Sequence, residues 1–347
     1  MHSRREFGQF VLGGLPLALL LRGKIDPVVG GVKLGAITYS FHDMPNVVGE
    51  DHVQAVIDDC KGCGVGLLEL MSNHCEPVSE FQARRGAGPA PSPGPAANGA
   101  TPAPAASGVA NGAGNSPAAG GAQGRGRSPE AQKARDALRE WRLSTPMSHF
   151  EQIKKKLADA GIVVYAYTVN GMGADFTSDE IDKMFEQAKT LGATTISSST
   201  TLDVAEKLVP FAEKHQFPVA FHNHEDIADP NQFATPDSFS KAMAMSKFFR
   251  INLDIGYITG SNFDAVSFIK QNHERITHLH VKDRKKNLGP SMPWGQGDTP
   301  IKEVLTLLKS SHYPIPALVE LSYPVPPDSN CVEEVAKCMD YMKRLLA

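Results

Sequence analysis

The stretch that decides the fold is INLDIGYITGSNFDAVSFIKQNHERITHLHVKDR, residues 251–284. Its apolar pattern predicts a strand, a loop, a helix and a second strand. Asp254 stands at the end of the first strand, and His278 and His280 alternate along the second, so both point to one face. Polar residues at such strand ends are typical of the active-site face of a barrel of parallel strands.

Two further segments repeat this design on either side. PVAFHNHE, residues 218–225, precedes the central stretch, and PALVE, residues 316–320, follows it. Each is a short apolar run that ends in a side chain able to bind a metal or move a proton. The repetition favours one sheet in which these ends meet.

On both sides of these segments, the hydrophobic pattern divides the chain into eight strand–helix pairs. The predicted strands are Lys33–Phe41, Val65–Met71, Ile162–Tyr167, Thr194–Ser198, Val219–Phe221, Arg250–Leu253, Ile276–Val281 and Ala317–Glu320. The predicted helices are Asp51–Cys63, Pro129–Trp141, Ser148–Ala160, Ser178–Leu191, Leu202–His215, Thr235–Met245, Phe263–Asn272, Ile301–Ser310 and Val332–Leu346. We therefore predict an α/β fold, a (β/α)8 TIM barrel. A doubly wound open sheet is the alternative. That fold requires a Gly-rich phosphate-binding loop after its first strand, and the residues at this position, Thr38–His42, contain no glycine.

The pattern is interrupted after the second strand. Residues 77–128 are mostly Gly, Ala, Pro, Ser and Asn, a composition that cannot offset the entropy of ordering the chain. We predict a disordered Gly/Pro/Ala-rich insertion within a single barrel domain of residues 31–347. Without it and the N-terminal segment, about 265 residues remain, near the roughly 250 of a typical barrel.

Residues 1–30 resemble a targeting segment. Arg4 and Arg5 precede a short apolar run, FVLGGLPLALLL, as in a Tat export signal, although a chance Arg-Arg before a core helix would read the same way. Export predicts a protein in the periplasm, or anchored to the membrane and facing the periplasm if the segment is not removed. LLRG, residues 20–23, is a poor cleavage site.

Composition narrows the classes of partner. The chain has 347 residues, 41% of them hydrophobic, and a net charge of -3, so we expect no general attraction to nucleic acid or anionic lipid. Five cysteines argue against a complete disulfide framework. Cys60 and Cys63 lie on the predicted first helix and Cys331 and Cys338 on the last, where either one cross-link or simple core packing is open.

If the barrel closes, its strand ends bring together six side chains: Glu69, His222, His224, Asp254, His280 and Glu320. Mixed carboxylate and imidazole ligands suit one divalent ion of Mn, Co, Zn, Fe or Mg. Each side chain also has an ordinary structural explanation: Asp254 could cap the next loop, His280 could be a hydrogen-bonded core histidine, and Glu320 could be a surface charge.

Four motifs carry a resemblance to a known family. They are LDxG at Leu253–Gly256, RIxHxHxKDR at Arg275–Arg284, WGQGD at Trp294–Asp298 and YxxPALVEL at Tyr313–Leu321. Together they resemble the sugar phosphate isomerase/epimerase superfamily, the xylose isomerase-like TIM barrel group. The resemblance covers about residues 32–345 apart from the insertion, and implies a carbohydrate substrate and one metal ion.

The resemblance also implies the ligand set. Family members hold the ion with four strand-end residues, often Glu, Asp, His and Glu, and the second histidine of the HxH pair is the usual ligand. Here Asp254, His280 and Glu320 match, and His222 stands where many members have Glu. We expect His222 to be the fourth ligand, with His224 or Glu225 as alternatives.

Further roles follow from the same resemblance. We expect Glu320 to act as a base, with His224, Glu69 and Lys282 as further catalytic candidates. Lys282 could stabilise a developing enolate or form a structural ion pair with Asp283. Candidate substrate contacts are Tyr39, Arg284 and Trp294, although Trp294 could equally pack in the core or a lid.

Three functions remain open from the sequence. The first is a metal-dependent isomerase or epimerase of a sugar or keto-sugar that works through an enediolate. The second keeps the metal but eliminates a leaving group, as a lyase or dehydratase of a keto-sugar, inosose or 3-keto-glycoside. The third is a non-catalytic barrel that binds carbohydrate.

Overall fold

A closed barrel of eight parallel strands forms the centre of the protein. The computed structural model describes residues 25–80, 82, 128–169, 171–173 and 175–347. The strands are β1 Val32–Ile37, β2 Leu67–Met71, β3 Val163–Thr168, β4 Thr195–Ser198, β5 Val219–His222, β6 Phe249–Asp254, β7 Ile276–Val281 and β8 Ala317–Val319. Each strand pairs with the next, and β8 pairs with β1 to close the sheet. The predicted (β/α)8 TIM barrel is confirmed.

Helices surround this barrel. They are α1 Val53–Cys63, α2 Pro129–Ser144, α3 Met147–Asp159, α4 Ser178–Leu191, α5 Leu202–His215, α6 Pro236–Met245, α7 Ile255–Gly260, α8 Ala265–Asn272, α9 Ile301–Ser311 and α10 Cys331–Leu346. Their apolar residues recur at helical spacing; α1, for example, buries Val53, Val56, Ile57 and Cys60 against the core. In the described ranges, every helix is too short or too polar to cross a membrane.

Local sequence signals set several helix ends. Gly64 and Gly192 follow α1 and α4 with φ of 70° and 83°, the left-handed conformation that glycine adopts without steric cost. At the start of α4 the Thr177 hydroxyl accepts from Glu180 N, and the Glu180 carboxylate accepts from Thr177 N. This reciprocal capping box places the cap at Thr177, one residue before the predicted start.

Two boundaries at the carboxyl ends of the strands differ from the prediction. The first strand ends at Ile37, and Thr38–Phe41 forms a 3-10 helix instead of extending it. The loop expected after Asp254 is the helix α7, because the Asp254 carboxylate accepts from Tyr257 N at 2.6 Å and caps it. Asp254 thus has the predicted capping role as well as its place at a strand end.

Short antiparallel additions were also absent from the prediction. Val28–Val29 pairs with β1, and Asp283–Arg284 pairs with Ser291–Met292 just beyond β7. Two-residue strands have too little periodicity to appear in a hydrophobic pattern. The second of these ribbons shapes the loop that follows β7 at the carboxyl end of the barrel.

The five cysteines belong to the core. Cys60, Cys63, Cys75, Cys331 and Cys338 are all free and buried, so core packing, not a cross-link, is their role. Two other predictions fall on residues that the structure does not describe. The targeting segment lies outside the described residues up to residue 24, and the Gly/Pro/Ala-rich insertion does so at residues 81 and 83–127.

The interior of the barrel is unusually polar near its carboxyl end. Barrel interiors are commonly filled by bulky branched apolar side chains, but here Glu69, Thr168, Ser197, Asn252 and His278 are all buried. Asn252 links the layer by donating to Ser197 Oγ at 2.9 Å. This layer lies beneath the candidate site and touches it through His280.

Candidate metal centre

Four strand ends place His222, Asp254, His280 and Glu320 around one point. His222 and Asp254 are the last residues of β5 and β6, His280 is on β7, and Glu320 directly follows β8. The sheet register sets Asp254 beside His280. One ligand atom from each of the four residues lies within 4.8 Å of the others, and all four residues are buried.

The atoms of this cluster fit a metal ion. His280 Nδ1 lies 2.7 Å from Glu320 Oε2 in a buried ion pair. Burial lowers the pKa of His280, but Glu69 and then Glu320 outweigh it and raise the pKa to about 10. These two atoms share a proton, and a metal ion that displaced the proton would meet one lone pair from each residue. Two imidazoles and two carboxylates form a donor set suited to Mn, Fe, Co or Zn.

His222 completes the set in the way that a ligand histidine does. Its Nδ1 faces Asn223 O at 3.2 Å, so a proton there leaves the Nε2 lone pair for an ion. Nε2 lies 3.6 Å from Glu320 Oε2 and 3.8 Å from Asp254 Oδ2. Burial, with help from the neighbouring His280, holds the pKa of His222 well below its usual value, so the ring is neutral.

The two alternatives for the fourth ligand position, His224 and Glu225, make other contacts. The His224 ring stacks on His222 with centroids 5.0 Å apart, and its Nε2 is buried without a hydrogen-bond partner in the described structure. Glu225 pairs with Arg284 at 2.5 Å. Burial lowers the pKa of His224 to about 4, so it presents a neutral imidazole beside the cluster.

Lys282 is a buried cation that faces the cluster. Its Nζ lies 2.8 Å from Asp254 Oδ2 and 3.0 Å from Glu320 Oε1, and 3.5 Å from the centroid of the Tyr257 ring. Burial lowers the pKa of Lys282, but Asp254 and Glu320 outweigh it and raise the pKa overall. Lys282 is therefore charged and aimed at the site, and the predicted pair with Asp283 is not among the ion pairs of the described residues.

Asp283 has a different role, which explains the WGQGD motif. Its Oδ2 accepts from Gly295 N and Gly297 N, both at 2.8 Å, and its Oδ1 accepts from Thr299 N at 3.2 Å. A Cβ on Gly297 would lie only 2.0 Å from Asp283 Oδ1, so the glycine is required. Asp283 fixes the loop after β7.

The carboxylates of the site differ in their proton affinity. Burial raises the pKa of Asp254 to about 6, although Lys282 opposes it. Burial also raises the pKa of Glu320, but Lys282 and then His280 outweigh it and hold the pKa well below its usual value. Glu320 is thus the carboxylate of the site that stays ionised over the wider range of pH.

Glu69 lies below the cluster instead of among its ligands. Its Oε2 is 2.5 Å from His280 Nε2 and 2.9 Å from His278 Nε2. It therefore meets the His280 ring on the side opposite Nδ1. The structure brings this predicted residue to the site but sets it behind His280.

Of the three predicted substrate contacts, Tyr39 lies near the cluster, whereas Arg284 and Trp294 contact other parts of the protein. Tyr39 is close enough for Glu320 and Lys282 to affect its pKa, which burial raises. Arg284 donates to Gly289 O at 2.6 Å and forms an ion pair with Glu225. Its guanidinium also lies over the Tyr257 ring, 4.9 Å from the centroid. Trp294 packs edge-on against Tyr341 of α10 at 5.9 Å, which agrees with the packing alternative.

Three residues of the site were absent from the sequence prediction. Tyr257 packs under Lys282, Asn252 lies beside Glu69, and Asn223 holds Asp254 by accepting from its backbone N at 2.8 Å and donating to its backbone O at 3.2 Å. Alternation could have found Asn252, which is two residues before Asp254 and so on the same face. Tyr257 had no signal until α7 was known.

Comparisons with known proteins agree with this fold. Residues 126–344 match the family described as Xylose isomerase-like TIM barrel. L-ribulose-5-phosphate 3-epimerase UlaE from Escherichia coli is 28% identical over 116 residues, which is 32% of this chain and 40% of that protein. The chain thus matches well under half the length of this curated relative.

Solved structures share the architecture at low identity. A Xylose Isomerase domain protein from Alicyclobacillus acidocaldarius has a TM-score of 0.55 and 9% identity, covering 90% of this chain and 98% of that one. The probable 3-DHS dehydratase AsbF from Bacillus anthracis has a TM-score of 0.53 and 12% identity, covering 89% and 97%. These likenesses show the fold alone. Since the family match spans more than half of the 347 residues, the chain belongs to the Xylose isomerase-like TIM barrel family.

Proposed function

We propose that the chain is a divalent-metal-dependent isomerase or epimerase of a sugar or keto-sugar, which moves a proton at the carbon next to a carbonyl. The observation that carries this proposal is the buried cluster of His222, Asp254, His280 and Glu320, in which one ligand atom of each residue lies within 4.8 Å of the others. The relative named above, which acts on a ketose phosphate, supports the carbohydrate class.

The cluster would hold the ion, and the surrounding residues would move the proton and stabilise the charge that develops on the substrate. A bound divalent ion would supply Lewis acidity that acidifies a C–H beside a sugar carbonyl. Glu320 is placed to take that proton because its carboxylate is ionised and lies at the barrel mouth with a small exposed surface. Lys282, 3.0 Å from Glu320 Oε1, would stabilise negative charge on the substrate oxygen.

His224 would orient the substrate. Its neutral ring stacks on His222, and its Nε2 has no partner among the described residues. A sugar hydroxyl can satisfy such a nitrogen either as donor or as acceptor. The Tyr257 ring lies 5.3 Å from His224 and would form an apolar wall next to that hydroxyl.

The first test joins metal content to turnover. We expect about one equivalent of metal per chain by elemental mass spectrometry. The loaded protein, given keto-sugars in D2O, should produce an isomer or epimer that carries solvent deuterium next to the carbonyl. Glu320→Gln should lower kcat by at least about 100-fold, the usual contribution of a general base.

Asp340→Asn is the matched control, because Asp340 is an exposed carboxylate whose ion-pair partner among the described residues is Lys343, at 3.2 Å. It should retain wild-type activity. A folded wild-type protein that takes up no ion and turns over no keto-sugar would refute the proposal and favour a carbohydrate-binding barrel.

A second candidate is a metal-dependent lyase or dehydratase. It is favoured by His222, because a neutral imidazole stands where a second carboxylate would serve a symmetric two-base epimerisation. With one carboxylate base, proton removal followed by loss of a leaving group needs no second base on the opposite face. Product mass separates the two: isomerisation conserves the mass, and dehydration removes one water.

A further inference from the structure

Glu69 has four hydrogen-bonding neighbours although it is completely buried. Its Oε1 accepts from Thr168 Oγ at 2.5 Å and lies 3.5 Å from Asn252 Nδ2. Its Oε2 lies 2.9 Å from His278 Nε2 and 2.5 Å from His280 Nε2. Burial raises the pKa of Glu69, but the two histidines outweigh it and hold the pKa well below its usual value. The barrel interior thus contains a carboxylate anion whose oxygens are both occupied.

The contact with His280 determines which ring nitrogen faces the candidate metal. A carboxylate is an acceptor only, so His280 Nε2 must carry the proton that it shares with Glu69. A metal ion that displaced the proton from Nδ1 would leave a neutral ring whose lone pair lies on Nδ1. That nitrogen lies 2.7 Å from Glu320 Oε2 in the centre of the cluster.

His278 contributes to the same arrangement from one side. It reaches Glu69 Oε2 through Nε2, and its Nδ1 lies 2.8 Å from Thr277 Oγ. His278 is therefore anchored at both nitrogens and holds the carboxylate against His280. The two histidines of the HxH motif have separate roles, since His280 reaches the four-residue cluster and His278 contacts Glu69 and Thr277.

We infer that Glu69 is a positioning residue of the metal centre, which acts through His280 by fixing its tautomer and ring orientation so that Nδ1 is presented to the ion. This inference rests on the proposed metal site. It differs from the sequence-based expectation that Glu69 is a catalytic candidate, because Glu69 contacts His280 at Nε2 while Nδ1 of the same ring faces the cluster. Carboxylates that orient a ligand histidine in this way commonly change metal affinity by 10- to 100-fold.

The test is Glu69→Gln in the full chain. The amide keeps the size of the side chain, but its NH2 group can donate to His280 Nε2 and so favour the tautomer with the proton on Nδ1. We expect Mn²⁺ and Co²⁺ to bind the chelator-treated variant about 10- to 100-fold more weakly by isothermal titration calorimetry. The visible absorption of the Co²⁺ form should also shift, because the nitrogen that faces the ion is disturbed.

Thr168→Val is the matched control. Thr168 bonds the other oxygen of Glu69 at 2.5 Å and touches neither histidine through that contact. It should leave the Co²⁺ spectrum in place and change the metal affinity much less than Glu69→Gln. Far-UV circular dichroism and urea unfolding of both metal-free variants check that the barrel is intact.

The outcomes separate this inference from the function. A folded Glu69→Gln variant with the wild-type metal affinity and Co²⁺ spectrum overturns the inference and leaves the proposed function standing. A wild-type protein that binds neither ion overturns both. If Glu69→Gln does not fold, Glu69→Asp tests the same point: it keeps the charge, withdraws the oxygens from His280, and should also weaken metal binding. Wild-type affinity in a folded Glu69→Asp variant would count equally against the inference.

Discussion

At the scale of single residues, the buried charges of this barrel form two layers joined by His280. The lower layer is Glu69 with its two histidines, and the upper layer is Lys282 with Asp254 and Glu320. Taking such charges out of water is costly unless every one is paired. Lys282 therefore serves the metal-free protein by neutralising carboxylates that an ion would otherwise neutralise.

This role predicts the behaviour of Lys282→Met. Loss of one partner of a buried ion pair typically costs about 3–5 kcal/mol, so the free energy of unfolding of the metal-free variant should fall by that amount. A divalent ion should restore more stability to the variant than it adds to wild type, since it would replace the missing positive charge. Urea unfolding with and without EDTA measures both effects.

Lys285→Met is the control for this experiment. Lys285 is an exposed cation that pairs with Asp298 at 3.4 Å, and exposed pairs contribute about 1 kcal/mol or less. Its stability should stay close to wild type in both buffers. Metal-free Lys282→Met that unfolds at the wild-type urea concentration would show that Lys282 does not balance the carboxylates.

At the scale of elements, the short helix α7 positions the site by its close packing on β7. Gly256 in this helix has no room for a side chain, because a Cβ would lie 2.5 Å from Lys282 Cγ and 2.9 Å from Lys282 O. The second contact is with backbone and cannot be relieved by a rotamer change. The glycine of the LDxG motif thus allows Lys282 to pass beneath α7 toward Asp254.

Gly256→Ala should consequently disturb both packing and site. Overpacking of this kind usually costs about 1–3 kcal/mol, and the displaced Lys282 should lower kcat as well. Gly260→Ala in the same helix is the control, because the nearest atom to its Cβ would be Arg284 Nε at an ordinary 3.7 Å. Thermal unfolding and steady-state kinetics compare the pair; equal stability of the two variants would contradict the packing argument.

At the scale of the whole molecule, buried neutral histidines link stability to pH. His74 is buried next to His52, with ring centroids 5.1 Å apart, and its Nδ1 has no hydrogen-bond partner in the described residues. Burial, followed by the neighbouring His52, lowers the pKa of His74 to about 3. In the unfolded chain, the same side chain titrates near pH 6.5.

Stability should therefore fall as the solution is acidified. Between about pH 6.5 and 3 the unfolded chain binds a proton that the folded protein does not, so each pH unit costs up to about 1.4 kcal/mol for this histidine. His74→Gln should flatten the decline in the free energy of unfolding measured by urea titration across this range. His312→Asn, at an exposed position with φ of 53° that Asn tolerates, should leave the slope unchanged, and a His74→Gln slope equal to wild type would contradict the linkage.

Much of the fold could be predicted from the chain alone. Apolar runs spaced by amphipathic helices gave the eight strands, and glycines such as Gly64 and Gly192 marked helix ends, because these signals depend only on local periodicity and backbone freedom. The strand-end residues Asp254, His280 and Glu320 could be grouped because parallel strands in a barrel end on one face. The choice of His222 over His224 was an inference that the geometry of the cluster supports.

The contacts between distant strands were decided only by the tertiary structure. Glu69 and His280 are 211 residues apart, and which side of the His280 ring Glu69 touches depends on strand register and the depth of each side chain in the barrel. The tertiary structure also decided the partner of Lys282. Backbone amides of the WGQGD motif donate to Asp283, and Lys282 forms its ion pairs with Asp254 and Glu320. A sequence specifies the residue types and their alternation along each strand; the closure of the barrel sets the distances between them.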